Sequence, residues 1–572
     1  MKEKGCFDRS SAATASPLDR SGLQPYNRPM ARDSQLVRWL DASLKERQIA
    51  EGFAFLKRYD SVFVEMKPTE PDVAGIIVRL AQWVDLGYRD VEFLDGLVKR
   101  FPPKRRARMR LKEFLQLRMA EAFCAMGVED LDRAIELLDF VLKAESELGD
   151  HRLAAIAHFW MGRSHRKKGE YDEAMKHVVR GRELMQAVHA PKLAAVIQIQ
   201  ESWLLFQKGD SAKALRILDE AKGQLGDTDD ALSLGNIESA KGRMERQAGR
   251  YAEALMHFDK AVELHARRDP NHRNLARALV NAASVNRLIA LQLRKRIDAR
   301  AETAKPKSQK SESLTRQAPG HLARYTQICR EALEQLQRAG EIYSLHHYYS
   351  GIASVLVSMG YLHLDSGDIE LGAQEALKAY ELAHDKNDHI HMARARTLQC
   401  IAENARVDEQ LGEDADAAVY ANHARMYSEE AVHWAELTQN RRLTSEAYVA
   451  RGMMFANDFF QEWEEAKRCV DHATALLGPE DRDHLWEDLM ALKTRILRAS
   501  SMDETLRAWS EGILGDKTFQ QITEEFAEIV IPKVWQREGK KVSRVSSRLS
   551  ISPKKVRRVL RNAGLLEWGD EG

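Results

Sequence analysis

The stretch GRSHRKKGEYDEA at residues 162–174 recurs as GRMERQAGRYAEA at 242–254. Gly169, Gly209 and Gly249 stand 40 residues apart, and each closes an amphipathic stretch. The same offsets follow each glycine: Tyr171, Ala174 and Val178; Ser211, Ala214, Leu218 and Ala221; Tyr251, Ala254, Phe258 and Ala261. Self-similarity at a fixed period is the mark of a repeat array. The physical logic is a helical hairpin. A glycine lets the chain leave a first helix through a left-handed C-cap; the tyrosine plugs the turn, and the small alanine lets two helices approach closely. Gly162 and Gly242, seven residues before the turn glycine, do the same on the first helix. A hairpin has one apolar face it cannot bury alone, so hairpins stack into a solenoid.

Working outward, the frame returns as GYLHLDSGDIELG at 360–372, and weaker copies centre on Ala134, Ala332, Ala431 and Ala466. These residues resemble the tetratricopeptide repeat (TPR) family, which implies an all-α fold, a TPR-like helical-hairpin superhelix. The period exceeds the family's usual one, so the units resemble the long-helix repeats of bacterial sensor regulators. About eight units cover residues 107–480. Residues 35–106 are helical in pattern without the frame and read as an N-terminal cap. Residues 1–34, with SSAATASPLDRSG at 10–22, read as a disordered arm. Residues 298–321 are polar, hold Pro306, Pro319 and Gly320, and read as a disordered loop inside one unit. Residues 404–425 lengthen another unit, and 481–516 read as a helical linker.

Composition bounds the class. Of 572 residues, 44% are hydrophobic and 30% charged, which suits a soluble globular chain and excludes wholesale disorder. No apolar run approaches the roughly 18 residues of a membrane helix, and the first 33 residues hold no secretory-signal pattern. Cys6, Cys124, Cys329, Cys400 and Cys469 are scattered with no CxxC. A disulfide framework is not expected, and a cytoplasmic location is.

Net charge is +1, but it is unevenly spread. Residues 532–565 hold 11 Lys or Arg against one acid, Glu538, whereas the chain before residue 532 is mildly acidic. That is the electrostatic footprint of a nucleic-acid-binding module. Residues 517–537 pattern as an amphipathic helix with Phe519, Ile522, Phe526, Ile529, Val530 and Trp535, and Gly539 breaks it. Val542, Val545 and Leu549 mark a short helix, and Ile551 sits in a turn. Ser552 caps a third helix with Pro553 in its first turn. That helix turns Val556, Val559 and Leu560 inward and its Lys and Arg outward, and it ends at Gly564. Two short helices joined by a tight turn describe a helix-turn-helix.

The stretch GKKVSRVSSRLSISPKKVRRVLRNAGL at 539–565 resembles the Fis-type helix-turn-helix that closes many bacterial enhancer-binding regulators. The resemblance makes 517–572 a DNA-binding domain whose last helix, from Ser552, enters the major groove of double-stranded DNA. Pro553, Lys554, Lys555 and Arg558 then face base edges, and Lys541, Ser543, Arg544, Arg557 and Arg561 face phosphates. It also implies a homodimer through 517–537, with half-sites about one helical turn apart. One departure is the Lys-Lys-Val-Arg-Arg run in the reading helix. Its extra charge raises non-specific affinity.

Catalytic signatures are missing. There is no phosphate-binding GxxxxGK[ST], no HExxH and no GxSxG, so neither an enzyme, a cofactor nor a metal is expected. His346, His347, His389 and His391 are expected on exposed helix faces. Trp160, Trp203, Trp434, Trp463 and Trp486 are expected in the core. The TPR resemblance puts first helices on a concave face, carrying Arg163, Arg166, Arg243, Arg246 and Arg287 with Asn281 and Asn286 nearby. Arginines facing one groove suit the carboxylates or phosphates of an acidic peptide, a protein tail or a nucleotide-like ligand. They equally suit acids on neighbouring units. Together these features read as a bacterial DNA-binding transcriptional regulator with a TPR sensor array. The alternative is a non-enzymatic scaffold or adaptor that controls a partner protein, for instance in a stress or defence system, with the tail as a docking element.

Overall fold

The structure is a computed structural model that describes residues 29–303, 311–409, 414–500 and 518–566. Every regular element among them is helical. Six helices come first: α1 (Pro29–Glu46), α2 (Ile49–Arg58), α3 (Asp60–Glu65), α4 (Val73–Asp85), α5 (Val91–Lys99) and α6 (Pro103–Arg106). Eight hairpins follow. They are α7 (Leu111–Gly127) with α8 (Leu131–Lys143), α9 (His151–Lys168) with α10 (Tyr171–Ala187), α11 (Pro191–Gln207) with α12 (Ser211–Leu225), and α13 (Ala231–Gln247) with α14 (Tyr251–Arg268). Then come α15 (Arg273–Thr303) with α16 (Ser311–Leu345), α17 (Tyr349–Asp365) with α18 (Ile369–Asp385), α19 (His389–Glu409) with α20 (Asp414–Glu436), and α21 (Arg441–Phe455) with α22 (Trp463–Leu476). A single helix, α23 (His484–Ser500), closes the stack. The fold is an all-α, TPR-like solenoid.

The repeat frame works as its residue types require. Ala134, Ala174, Ala214, Ala254, Ala332, Ala431 and Ala466 are all buried at the crossing of their hairpins. A Cβ on Gly162 would stand 2.6 Å from Val178, and one on Gly360 would stand 3.1 Å from the Gly372 carbonyl, so both helices come too close for any side chain there. Tyr171 and Tyr251 are buried at the starts of second helices.

The superhelix meets itself. The turn inside the second hairpin touches the loop before α21: Gln439 N–H donates to the Gly169 carbonyl at 2.9 Å, across 270 residues of chain. The next two turns repeat the pattern. Arg441 donates to the Gln207 carbonyl at 3.2 Å, and Arg482 N–H to the Gln247 carbonyl at 2.9 Å. Asp481, fully buried, ties this seam by accepting from Arg442 at 2.6 Å, from Arg441 at 3.1 Å and from Gln247. At the other edge, Ser350 N–H donates to Glu129 at 3.0 Å. The N-terminal cap joins in: Arg47 pairs with buried Asp230 at 2.5 Å, and Asp229 accepts from Ile49 and Ala50 N–H at 2.7 Å.

Three further helices form a small unit: α24 (Phe519–Arg537), α25 (Val542–Leu549) and α26 (Pro553–Asn562). Their shared core is Ala527, Ile531, Trp535, Val542, Val545, Val556, Val559 and Leu560. A capping box of Thr518 and Gln521 starts α24. Ser552 caps α26 by accepting from Lys555 N–H, with Pro553 at the first position. The turn between α25 and α26 passes through Ser550 at φ +52° and is fastened by Ile551 N–H on the Ser546 carbonyl at 3.2 Å.

Several expectations are corrected. The arm expected over 1–34 gives way to helix at Pro29, and residues 1–28 lie outside the described residues. The loop expected over 298–321 is largely helix, since α15 runs to Thr303 and α16 begins at Ser311. Its Ala, Glu, Lys, Gln and Arg are good helix formers, and polarity alone does not break a helix; residues 304–310 lie outside the described residues. The stretch read as a linker over 481–516 begins as the solenoid's last layer, because Leu485, Leu489, Leu492 and Ile496 of α23 pack with Val449, Met454 and Cys469. No described helix is long and apolar enough to cross a membrane.

Candidate ligand groove and basic helix face

First helices line a concave groove of about 1050 Å³, which the N-terminal cap joins through Leu44, Arg47, Asp85 and Leu86. Arg163, Arg166, Arg243, Arg246, Asn281 and Arg287 all reach it. Asn286 does not. It is buried and donates to Gln335 at 3.1 Å between α15 and α16, so its expected place in the groove is withdrawn. The helical period decides this, because Asn281 and Asn286 are five residues apart and five residues place two side chains on different faces.

The arginines fall into two kinds. Arg163 binds Asp85 at 2.6 Å, and Arg287 binds Asp365 through two nitrogens. Burial alone would lower both guanidinium pKa values, but the paired carboxylate outweighs it and each ends above its usual value. Burial would likewise raise Asp85, and Arg163 instead holds it below the usual carboxylate range. These two arginines are wall-builders.

Arg166, Arg243 and Arg246 are the second kind: among the described residues, none has a carboxylate within ion-pair distance. Arg166 lies over the Trp203 ring at 4.9 Å, and the Nε atoms of Arg166 and Arg243 are buried with no hydrogen-bond partner. Burial, then Arg277 and Arg163, pushes Arg166 down to about 10. Burial, then Arg277, Arg166 and Arg246, pushes Arg243 well below its usual value, and Arg246 is lowered by burial and by Arg442. Arginine keeps its proton in proteins, so these shifts register as repulsion among fixed charges. The groove's acids are engaged elsewhere: Asp388 with His391 at 2.8 Å, Asp483 with Arg442 at 2.6 Å, and Glu446 with the Tyr361 hydroxyl at 3.0 Å.

Arg277 is a groove residue that the repeat frame misses. It donates to the Oδ1 atoms of Asn236 and Asn274, both at 2.9 Å, and burial lowers its pKa, with Arg163 and Arg273 adding repulsion. It sits near the start of α15, whereas the frame marks positions three and six residues before a turn glycine. Its signal is the four-residue stripe Arg273, Arg277, Asn281 on one helix face. Among the tryptophans, Trp160 is buried as expected. Trp203 is half-buried and lines the groove, while Trp434, Trp463 and Trp486 are half-buried. Of the histidines, His346 bonds the Asn271 carbonyl at 2.7 Å and His389 stacks on Trp434. No described cluster of His, Cys, Asp and Glu suits a metal ion.

On α26, the division of faces is clean. Val556, Val559 and Leu560 are buried, whereas Ser552, Pro553, Lys554 and Arg558 are exposed and Lys555, Arg557 and Arg561 are half-buried. Lys541, Ser543 and Arg544 at the start of α25 are also exposed. Arg558 reaches back to Glu524 of α24 at 3.3 Å. On α24, Phe519 is 85% exposed and Phe526 48% exposed, so neither joins the core that the amphipathic pattern suggests.

Residues 233–290 match the tetratricopeptide repeat family, which covers α13, α14 and the start of α15. No curated protein matches the chain. Among solved structures, it is similar to a Rap protein complexed with competence and sporulation factor, at 11% identity and TM-score 0.48, over 71% of this chain and 99% of that one. It is also similar to the apo form of the quorum sensor NprR from B. thuringiensis, at 12% identity and TM-score 0.37, over 62% and 99%. A human IFIT1 dimer with m7Gppp-AAAA is similar at 12% identity and TM-score 0.41, over 78% and 90%. The repeat frame, the hairpins it builds and the match over 233–290 together give the chain a TPR-type solenoid.

Proposed function

We propose that this chain is a non-enzymatic, DNA-binding transcriptional regulator of bacterial type. Its solenoid groove takes a peptide or protein segment, and its three C-terminal helices act as a Fis-like helix-turn-helix on double-stranded DNA. The observation that carries the reading is the two-faced α26: a wholly apolar inner side and an outer side of Pro553, Lys554 and Arg558, flanked by Lys541, Ser543 and Arg544. Cationic side chains on an exposed helix after a tight turn suit base edges and phosphates. Exposed Phe519 and Phe526 on α24 favour a homodimer through 519–537, because such large apolar side chains are normally covered. The four described cysteines are unpaired thiols, which suits a cytoplasmic protein.

Fluorescence anisotropy of the full chain with labelled duplex DNA at several salt concentrations tests the reading. The expected result is binding that weakens steeply with salt and is lost in a Lys554→Ala, Lys555→Ala, Arg558→Ala variant. Absence of binding at low salt overturns it and favours the adaptor, with α24 as the docking element.

A further inference from the structure

The groove carries more positive charge than its own acids neutralise, and that excess is local. Arg166 of α9, Arg243 and Arg246 of α13, and Arg277 of α15 come from three first helices. Their mutual repulsion places them in one region of the wall. Arg163 and Arg287, nearby, show what an arginine looks like here when the fold supplies its counter-ion: each has a directly bonded aspartate. The four others have none among the described residues, and two of them bury an Nε with no acceptor. A buried donor without a partner costs free energy that a bound acceptor recovers. A guanidinium is also a planar fork matched to oxyanions.

The neighbours indicate what kind of molecule carries those oxyanions. Asn236 and Asn274 accept from Arg277 through Oδ1, which leaves each Nδ2 to donate to a carbonyl. Asn281 donates its Nδ2 to the Arg277 carbonyl, which leaves Oδ1 to accept from an N–H. Side-chain amides with donors and acceptors both available suit a peptide backbone. The groove volume of about 1050 Å³ is room for several residues.

We propose that Arg166, Arg243, Arg246 and Arg277 form an anion subsite that selects groove peptides with two neighbouring carboxylates, Asn236, Asn274 and Asn281 holding their backbone. This rests on the groove reading above and narrows it to an acidic ligand. Arg163 and Arg287 take no part in recognition; they hold the wall.

Two fluorescein-labelled hexapeptide pools test this on the full chain. Both are randomised at the four outer positions; one has Asp or Glu at the central two, the other Asn or Gln. The expected result is at least tenfold tighter binding of the acidic pool, abolished by Arg243→Gln with Arg277→Gln. An Arg163→Lys variant, which keeps the pair with Asp85, should bind the acidic pool as the parent does. Far-ultraviolet circular dichroism confirms that each variant is folded. Equal binding of both pools, lost on Asn236→Ala with Asn281→Ala, leaves the groove reading standing and overturns the anion subsite. If neither pool binds but inorganic pyrophosphate protects the chain against thermal unfolding, and Arg243→Gln removes that protection, the oxyanions are phosphates and the acidic-peptide assignment falls. No response to either pool or to pyrophosphate overturns both.

Discussion

At Arg243 the chain holds a charge at a cost to its own stability. Replacing it with methionine keeps most of the volume, removes the repulsion from Arg166, Arg246 and Arg277, and ends the unsatisfied Nε. Arg243→Met should raise unfolding stability by about 1 kcal/mol while abolishing groove binding, read by urea denaturation and peptide titration of the same sample. His265 shows the opposite economy. It is fully buried, neither ring nitrogen has a partner, and burial with the charge on Arg277 pushes it down to about 3 from the usual 6.5. On acidification the unfolded chain therefore takes up a proton that the folded chain refuses. His265's share of stability is intact above about pH 6.5 and drains away as pH falls toward 3, a loss of about 2 kcal/mol between pH 7 and 5. His265→Leu should flatten that part of the acid limb, measured as urea midpoints at the two pH values. Residue types in the repeat frame made Arg163, Arg166, Arg243 and Arg246 legible as groove residues. Which of them have carboxylate partners was not legible, because Asp85 and Asp365 each stand 78 positions away from their arginines.

The turn glycines separate two physical demands that look alike in the chain. Gly249 and Gly367 both have positive φ, +75° and +88°. A Cβ on Gly367 would meet open space, whereas one on Gly249 would lie 2.6 Å from the Arg482 carbonyl across the seam. Gly367→Ala should therefore cost only the left-handed penalty, about 1 kcal/mol. Gly249→Ala should cost about 3 kcal/mol, since the docked loop must also retreat. Thermal unfolding of the two variants decides this. The hairpins themselves were legible because glycine, tyrosine and alanine at fixed offsets admit few other structures. The long α15 and α16 were not, because proline and glycine at 319–320 read as a break. In the tail, Lys541→Ala with Arg544→Ala should weaken binding evenly across DNA sequences. It should also reduce the slope of log affinity on log salt by about 2, one phosphate contact each.

The solenoid is one body because its winding brings distant layers edge to edge. Asp481 is where this is most concentrated, accepting from both Arg441 and Arg442 in its own layer and from Gln247 in an earlier one. Asp481→Ala leaves two arginines without their acceptor and should cost 3–5 kcal/mol, roughly that of breaking a buried pair. Hydrogen exchange should then rise at 247–251 as well as at 441–446; a rise confined to the second segment would show that the layers are uncoupled. No local pattern in the chain foretells such contacts, because they depend on the accumulated pitch of all the intervening hairpins. Repeat solenoids ordinarily fray from their ends, layer by layer. Here the layers of α9–α14 and those of α20–α23 hold one another, so neither end is fully an end. A molecule lodged between them has a closed flank beside it. It leaves lengthwise or waits for the flank to part, so its residence time is governed by the protein's own breathing as much as by the strength of the contacts it makes.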